Sequence, residues 1–132
     1  MASLQNFLMG FRFLAGTAAF VFPDRFFHHV YGRDEATAKV TPGQKLGDYS
    51  NIAIRMFAVR DFVLGYLLWE CPSQGALYKA LIAATISDVG DALASALGYQ
   101  DGAITGLAAS KAAALAGVLA AVQFWAALRA IQ

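Results

Sequence analysis

Five charged side chains, Arg12, Arg60, Asp61, Asp88 and Asp91, stand inside segments otherwise apolar enough to span a bilayer. Runs such as Phe13-Leu14-Ala15-Gly16 and Phe62-Val63-Leu64-Gly65 adjoin them. A charge at the centre of a membrane helix costs about 2.5–3.5 kcal/mol on insertion scales. A chain retains such groups where they pair, face an internal cavity or carry function. The feature therefore demands a fold that turns ions inward and leaves hydrocarbon outside.

Composition agrees with that demand. Only 14% of the 132 residues are charged and 58% are hydrophobic, whereas soluble domains average about 25% charged. The length predicts one domain, residues 1–132. A net charge of +1 offers no basic patch for nucleic acid. The single cysteine, Cys71, permits no internal disulfide framework and no cysteine-based zinc site. A cleaved signal peptide is not expected, because the first residues carry no basic side chain and Arg12 interrupts the apolar run.

Four long apolar segments follow one another: residues 4–22, 49–71, 76–97 and 104–128. Each approaches the roughly 20 residues that carry a helix across about 30 Å of hydrocarbon. Their length and lack of alternation predict helices rather than barrel strands. The expectation is an all-α, four-helix transmembrane bundle running up-down-up-down. Pro72-Ser73-Gln74-Gly75 predicts a tight turn and an antiparallel hairpin of helices two and three, and residues 98–102 do the same for helices three and four. The first connection is long, 26 residues from Pro23 to Asp48, and is positioned to cover one mouth of the bundle. It carries Arg25, Arg33, Lys39 and Lys45, which favours a cytoplasmic location for it.

Depths counted from the side that holds the termini place Arg12, Arg60, Asp61, Asp88 and Asp91 within roughly 10 Å of one another along the bundle. Lys111 on helix four is expected at a similar depth. Asp88 and Asp91 are three apart and share a helix face, with Ser87 and Ser95 on the same stripe. Such a set serves structure alone if every ion is paired and only fixes helix register. Two arginines against three aspartates leave one carboxyl over, which either protonates or recruits Lys111 or Arg55. Paired carboxyl groups with divergent environments supply one acid and one base. The expected catalytic set is Asp88, Asp91, Arg60, Asp61 and Arg12, with Tyr66, Tyr49, Asn51 and Arg55 as substrate-binding groups.

Other signals carry less. His28 and His29 are adjacent, point apart on a helix and form no metal pair alone, so no metal or other cofactor is expected. Phe20, Phe22, Phe26, Phe27 and Tyr31 read as an interfacial aromatic belt, with Trp69 and Trp125 on the other side; Tyr66 lies deep enough to line a pocket. Ala109, Ala113, Gly117 and Ala121 recur at spacing four, a close-packing face within the bundle or between copies in a homo-oligomer.

The stretches Gly10-Phe11-Arg12, Arg60-Asp61-Phe62-Val63-Leu64-Gly65 and Ser87-Asp88-Val89-Gly90-Asp91-Ala92-Leu93 together resemble the DoxX-like superfamily of small four-span membrane proteins, in a branch found in fungi and bacteria. The resemblance follows most of the chain in order. It implies a four-helix membrane fold and makes Arg12, Arg60, Asp61, Asp88 and Asp91 family positions. It implies no particular reaction.

Two functions are therefore expected. In the first, a small integral membrane enzyme, of the endoplasmic reticulum for instance, performs cofactor-free acid–base chemistry on a lipophilic secondary metabolite such as a polyketide or terpenoid. Epoxide opening, cyclisation and isomerisation all suit an Asp–Arg–Asp set in an apolar hollow, which is chemically similar to the site of limonene-epoxide-type hydrolases on an unrelated fold. In the second, the chain is a non-enzymatic subunit or lipophile-binding protein, since DoxX-like relatives are associated with redox complexes. A proton-coupled transporter is disfavoured by four helices without repeat symmetry.

Overall fold

The computed structural model describes residues 2–23, 25–26, 46–101 and 104–131, with backbone alone over 46–52. It contains four long helices: α1, Ala2–Val21; α2, Leu46–Trp69; α3, Gln74–Gln100; and α4, Gly106–Ala130. Their ends follow local chemistry. Pro23 lacks the amide that would extend the α1 ladder, and Phe26 N–H closes a separate turn onto Phe22 C=O at 2.9 Å. Pro72 stands beyond the end of α2. Ser73 then caps α3, its hydroxyl accepting from the Ala76 amide at 3.2 Å, and Thr105 caps α4 by accepting from Ala108 at 3.3 Å.

The helices associate as two close pairs, α1 with α2 and α3 with α4, while α2 and α3 touch only sparingly along their backbones. The tight turn at Pro72 thus joins neighbours that do not pack along their length, a correction to the predicted central hairpin. Small residues decide the pairing. A methyl on Gly16 of α1 would sit 3.1 Å from the Ala58 carbonyl oxygen of α2, so those backbones meet through the missing side chain. On α4 the buried stripe is Ala108, Ala112, Ala116 and Ala120. The face expected at Ala109, Ala113, Gly117 and Ala121 lies one residue away: Ala109 is buried and Ala113 half-buried, but Gly117 and Ala121 are exposed. Shifting the stripe by one residue turns the helix by about 100°.

Leucines close the terminal end of the bundle. Leu8, Leu68 and Leu81 pack with Ala126, Ala127 and Ala130, so all four helices contribute to one core there. At the other end a smaller cluster of Ala19, Ile54 and Ala58 belongs to the α1–α2 pair.

Of the described helices, α3 and α4 are long and apolar enough to cross a membrane. Four such helices were expected from the sequence. Gln5, Asn6 and Arg12 lower the mean hydropathy of α1, and Asn51, Arg55, Arg60 and Asp61 lower that of α2.

The Gly16 contact is directly testable. Gly16→Val should destabilise the protein by about 1–3 kcal/mol through overpacking, whereas Gly117→Val, with nothing within 4 Å of the added carbon, should change stability by less than about 0.5 kcal/mol. Thermal unfolding of the two variants in detergent provides the comparison.

Candidate functional site

Three helices deliver an alternating row of charges: Asp88, Arg12, Asp61, Arg60, Asp91. Arg12 on α1 donates through Nη1 to Asp61 Oδ1 of α2 and through Nη2 to Asp88 Oδ2 of α3, both at 2.7 Å. Arg60 on α2 grips Asp91 of α3 as a two-pronged fork, at 2.6 Å to Oδ1 and 2.8 Å to Oδ2. It also reaches Asp61 Oδ1 at 3.4 Å, which links the two halves of the row. Its guanidinium lies 4.2 Å from the centre of the Phe57 ring, a cation–π contact. Arg12, Asp61 and Asp88 are only 2–3% exposed; the Arg60–Asp91 end is the more open one.

Helix α4 contributes Gln123, which is 1% exposed. Its Nε2 donates to Asp88 Oδ2 at 2.9 Å and its Oε1 lies 3.5 Å from Arg12 Nη2. Asp88 Oδ2 thus accepts from both Arg12 and Gln123. The sequence pointed to Lys111 instead, which is exposed. Counted back from the C-terminal end of α4, Gln123 is level with Arg12, whereas Lys111 lies about three turns further. The available signal was a lone uncharged polar residue in the apolar run from Val118 to Ala127, flanked by Val122 and Phe124.

Four members of the row, all but Arg60, form the floor of a cavity of about 500 Å³. Arg12, Asp61, Asp88, Asp91 and Ser95 are its polar lining, and alanine, leucine, isoleucine and phenylalanine from α1, α2 and α4, with Phe26, make the walls. Phe26, from the predicted aromatic belt, lines the cavity and packs tilted against Phe57, ring centres 6.0 Å apart. Ser95 donates to the Asp91 carbonyl at 2.8 Å, which steadies the last turn before the row. Among the described residues, three buried side-chain polar atoms have no partner: Nε of Arg12, Nε of Arg60 and Oγ of Ser87.

The structure brings together all five expected ionic residues. Tyr66 is not with them: it is exposed on α2, away from the cavity lining. Arg55 is likewise exposed and lines no part of the cavity. The side chains of Tyr49 and Asn51, and His28, His29, Phe27 and Tyr31 altogether, lie outside the described residues. Among the described residues no three histidine, cysteine or acidic side chains gather in the manner of a metal site; the aspartates are engaged by guanidinium groups. No family profile, no curated protein and no solved structure matches the chain.

Removing one member of a buried ion set strands the others. Arg12→Met should destabilise by about 3–5 kcal/mol, more than Arg60→Met, since Arg60 and its fork partner Asp91 are partly exposed. Adding Asp61→Asn and Asp88→Asn to Arg12→Met should recover most of the loss. Denaturation in mixed micelles measures all of these, and an Arg12→Met protein within about 1 kcal/mol of wild type would count against a central role for the pairings.

Proposed function

We propose that the chain is a four-span membrane protein that binds a lipophilic small molecule in this cavity and carries out acid–base chemistry on it. The observation that carries the proposal is the junction of hydrocarbon walls and an ionic floor. Drug-sized ligands occupy pockets of roughly 300–1,000 Å³ lined mostly by apolar groups with a few polar ones converging, and the cavity falls in that range. Support for the membrane comes from an inverted distribution of side chains. Leu14, Val63, Leu93 and Val118 are exposed mid-helix, one on each helix, while the ions lie inside. The DoxX-like resemblance of the three motif stretches points the same way.

The chemistry follows from the charge count. Two guanidinium groups face three carboxyl groups, so one proton shared among the carboxyls makes the set neutral in a low-dielectric surrounding. Asp88 and Asp91 both border the cavity and divide the roles of acid and base. With an epoxide, the carboxylate takes a proton from water as the water oxygen bonds to carbon. The carbon–oxygen bond of the ring breaks, and the protonated carboxyl delivers its proton to the leaving oxygen. The product is a diol, and proton transfer between the carboxyls restores the starting state. Substitution of an internal hydroxyl for water turns the same steps into a cyclisation. Arg12 and Arg60 hold the carboxyl groups in place through their Nη donors.

Lipophile binding without chemistry is the second reading, since the apolar walls suffice for it. Terpenoid epoxides offered to the protein in liposomes separate the two. Diol should form with wild type, and Asp88→Asn and Asp91→Asn should each lower the rate by about 10²–10⁴-fold while still unfolding in a cooperative transition. Saturable binding with no turnover of any probe would favour the second reading, and unaltered turnover in both folded variants would remove the acid–base assignment.

A further inference from the structure

We infer that the cavity opens sideways between α1 and α4, so that its ligand arrives from the hydrocarbon of the bilayer rather than from water. The inference rests on the membrane placement proposed above and adds a route and a ligand class to it. Around the bundle, α1 adjoins α2, α2 adjoins α3 and α3 adjoins α4, but among the described residues the backbones of α1 and α4 nowhere come close. Side chains alone bridge that seam, and only in its lower half. Leu8 shares a core with Ala126 and Ala127, and one turn higher Arg12 meets Gln123 at 3.5 Å.

Above Arg12, among the described residues, no buried core cluster and no hydrogen bond joins α1 to α4. Leu14 and Leu115 border the cavity from α1 and α4, yet they are 71% and 50% exposed. A side chain that lines a cavity and is also open to the surroundings marks the rim of an opening. This rim is hydrocarbon on both sides. It repels a hydrated solute and is indistinguishable to a lipophile from the acyl chains around it. Large exposed apolar groups on both flanking helices, Phe7 on α1 and Val118 on α4 among them, extend the same surface outward.

The rim and the floor together define the ligand. It dissolves in the bilayer and carries an oxygen function at the end that reaches Asp88 and Asp91. At about 30 Å³ for a group the size of a water molecule, the cavity holds on the order of 15 such groups. That number matches the carbon skeleton of a sesquiterpenoid, so a free terpenoid-sized lipophile fits the cavity whole.

A thiol placed in the cavity by Ser95→Cys, with Cys71→Ser to remove the native one, reports on the route. Ser95 is buried and lines the cavity. In proteoliposomes, an N-alkyl maleimide dissolved in the bilayer and a trimethylammonium thiosulfonate present on both faces are compared, each rate normalised to that with free cysteine. The lipophilic reagent should react at least an order of magnitude faster, and Leu14→Trp with Leu115→Trp should slow it several-fold without altering the unfolding transition. Equal rates for the charged reagent, or a lipophilic rate untouched by the two tryptophans, would overturn the lateral route. Neither result depends on turnover. A protein that fails to float with the liposomes would instead reject the membrane placement itself.

Discussion

The Arg12 guanidinium is the one group on which the bundle converges. It binds α2 through Asp61 and α3 through Asp88, and Gln123 brings α4 to the same point. Backbone packing alone yields two separate pairs of helices. The leucine core at the terminal end holds the pairs together without specifying their rotation, because hydrophobic contact is non-directional. Charge-assisted hydrogen bonds are directional. They set which faces of α2 and α3 look inward, and with that the positions of Arg60 and Asp91. Burying such ions carries a desolvation penalty that their attraction need not fully offset. Their presence here is understood through the geometry they impose.

The ionic row also divides the bundle into two halves of different character. Below it, large leucines fill the space between the pairs. Above it, alanines and the splayed pairs leave the cavity. A ligand in that space touches hydrocarbon on its flanks and ions at one end, so its orientation follows from its own polarity. Orientation of this kind is what acid–base chemistry at a single functional group requires.

The four helices and the inward set of five ions were legible in the sequence because both follow from a strong rule: apolar length makes helices, and charges within them must face one another. The helix ends fall close to the limits of the apolar segments, helped by Pro23, Pro72 and Ser73. Which helices pair closely was not legible. The tight turn at Pro72 shows only that α2 and α3 are consecutive, whereas the pairing depends on whether Gly16 meets Ala58 and which alanine stripe of α4 turns inward. In an alanine-rich helix several stripes are equally small, so spacing cannot choose among them. Lys111 stands out in the sequence and Gln123 does not, because formal charge is conspicuous and an amide is not. Yet an amide both donates and accepts, and that is what the Asp88–Arg12 junction uses. The exposure of Tyr66 depends on the rotation of α2 about its axis, which the ion pairs of Arg60 and Asp61 set.

The central claim is that Arg12 joins the helices at a buried point inside a lipid-surrounded bundle. Solid-state NMR on protein reconstituted in bilayers, with ¹⁵N in arginine and ¹³C in aspartate, tests it most directly. Arg12 is identified by the resonances that vanish in Arg12→Lys. Its Nη nitrogens should show dipolar couplings to two aspartate carboxyl carbons, as hydrogen bonds of 2.7 Å to Asp61 and Asp88 require, and its guanidinium protons should exchange slowly with bulk water. A guanidinium with no carboxyl coupling and rapid water exchange would contradict the account.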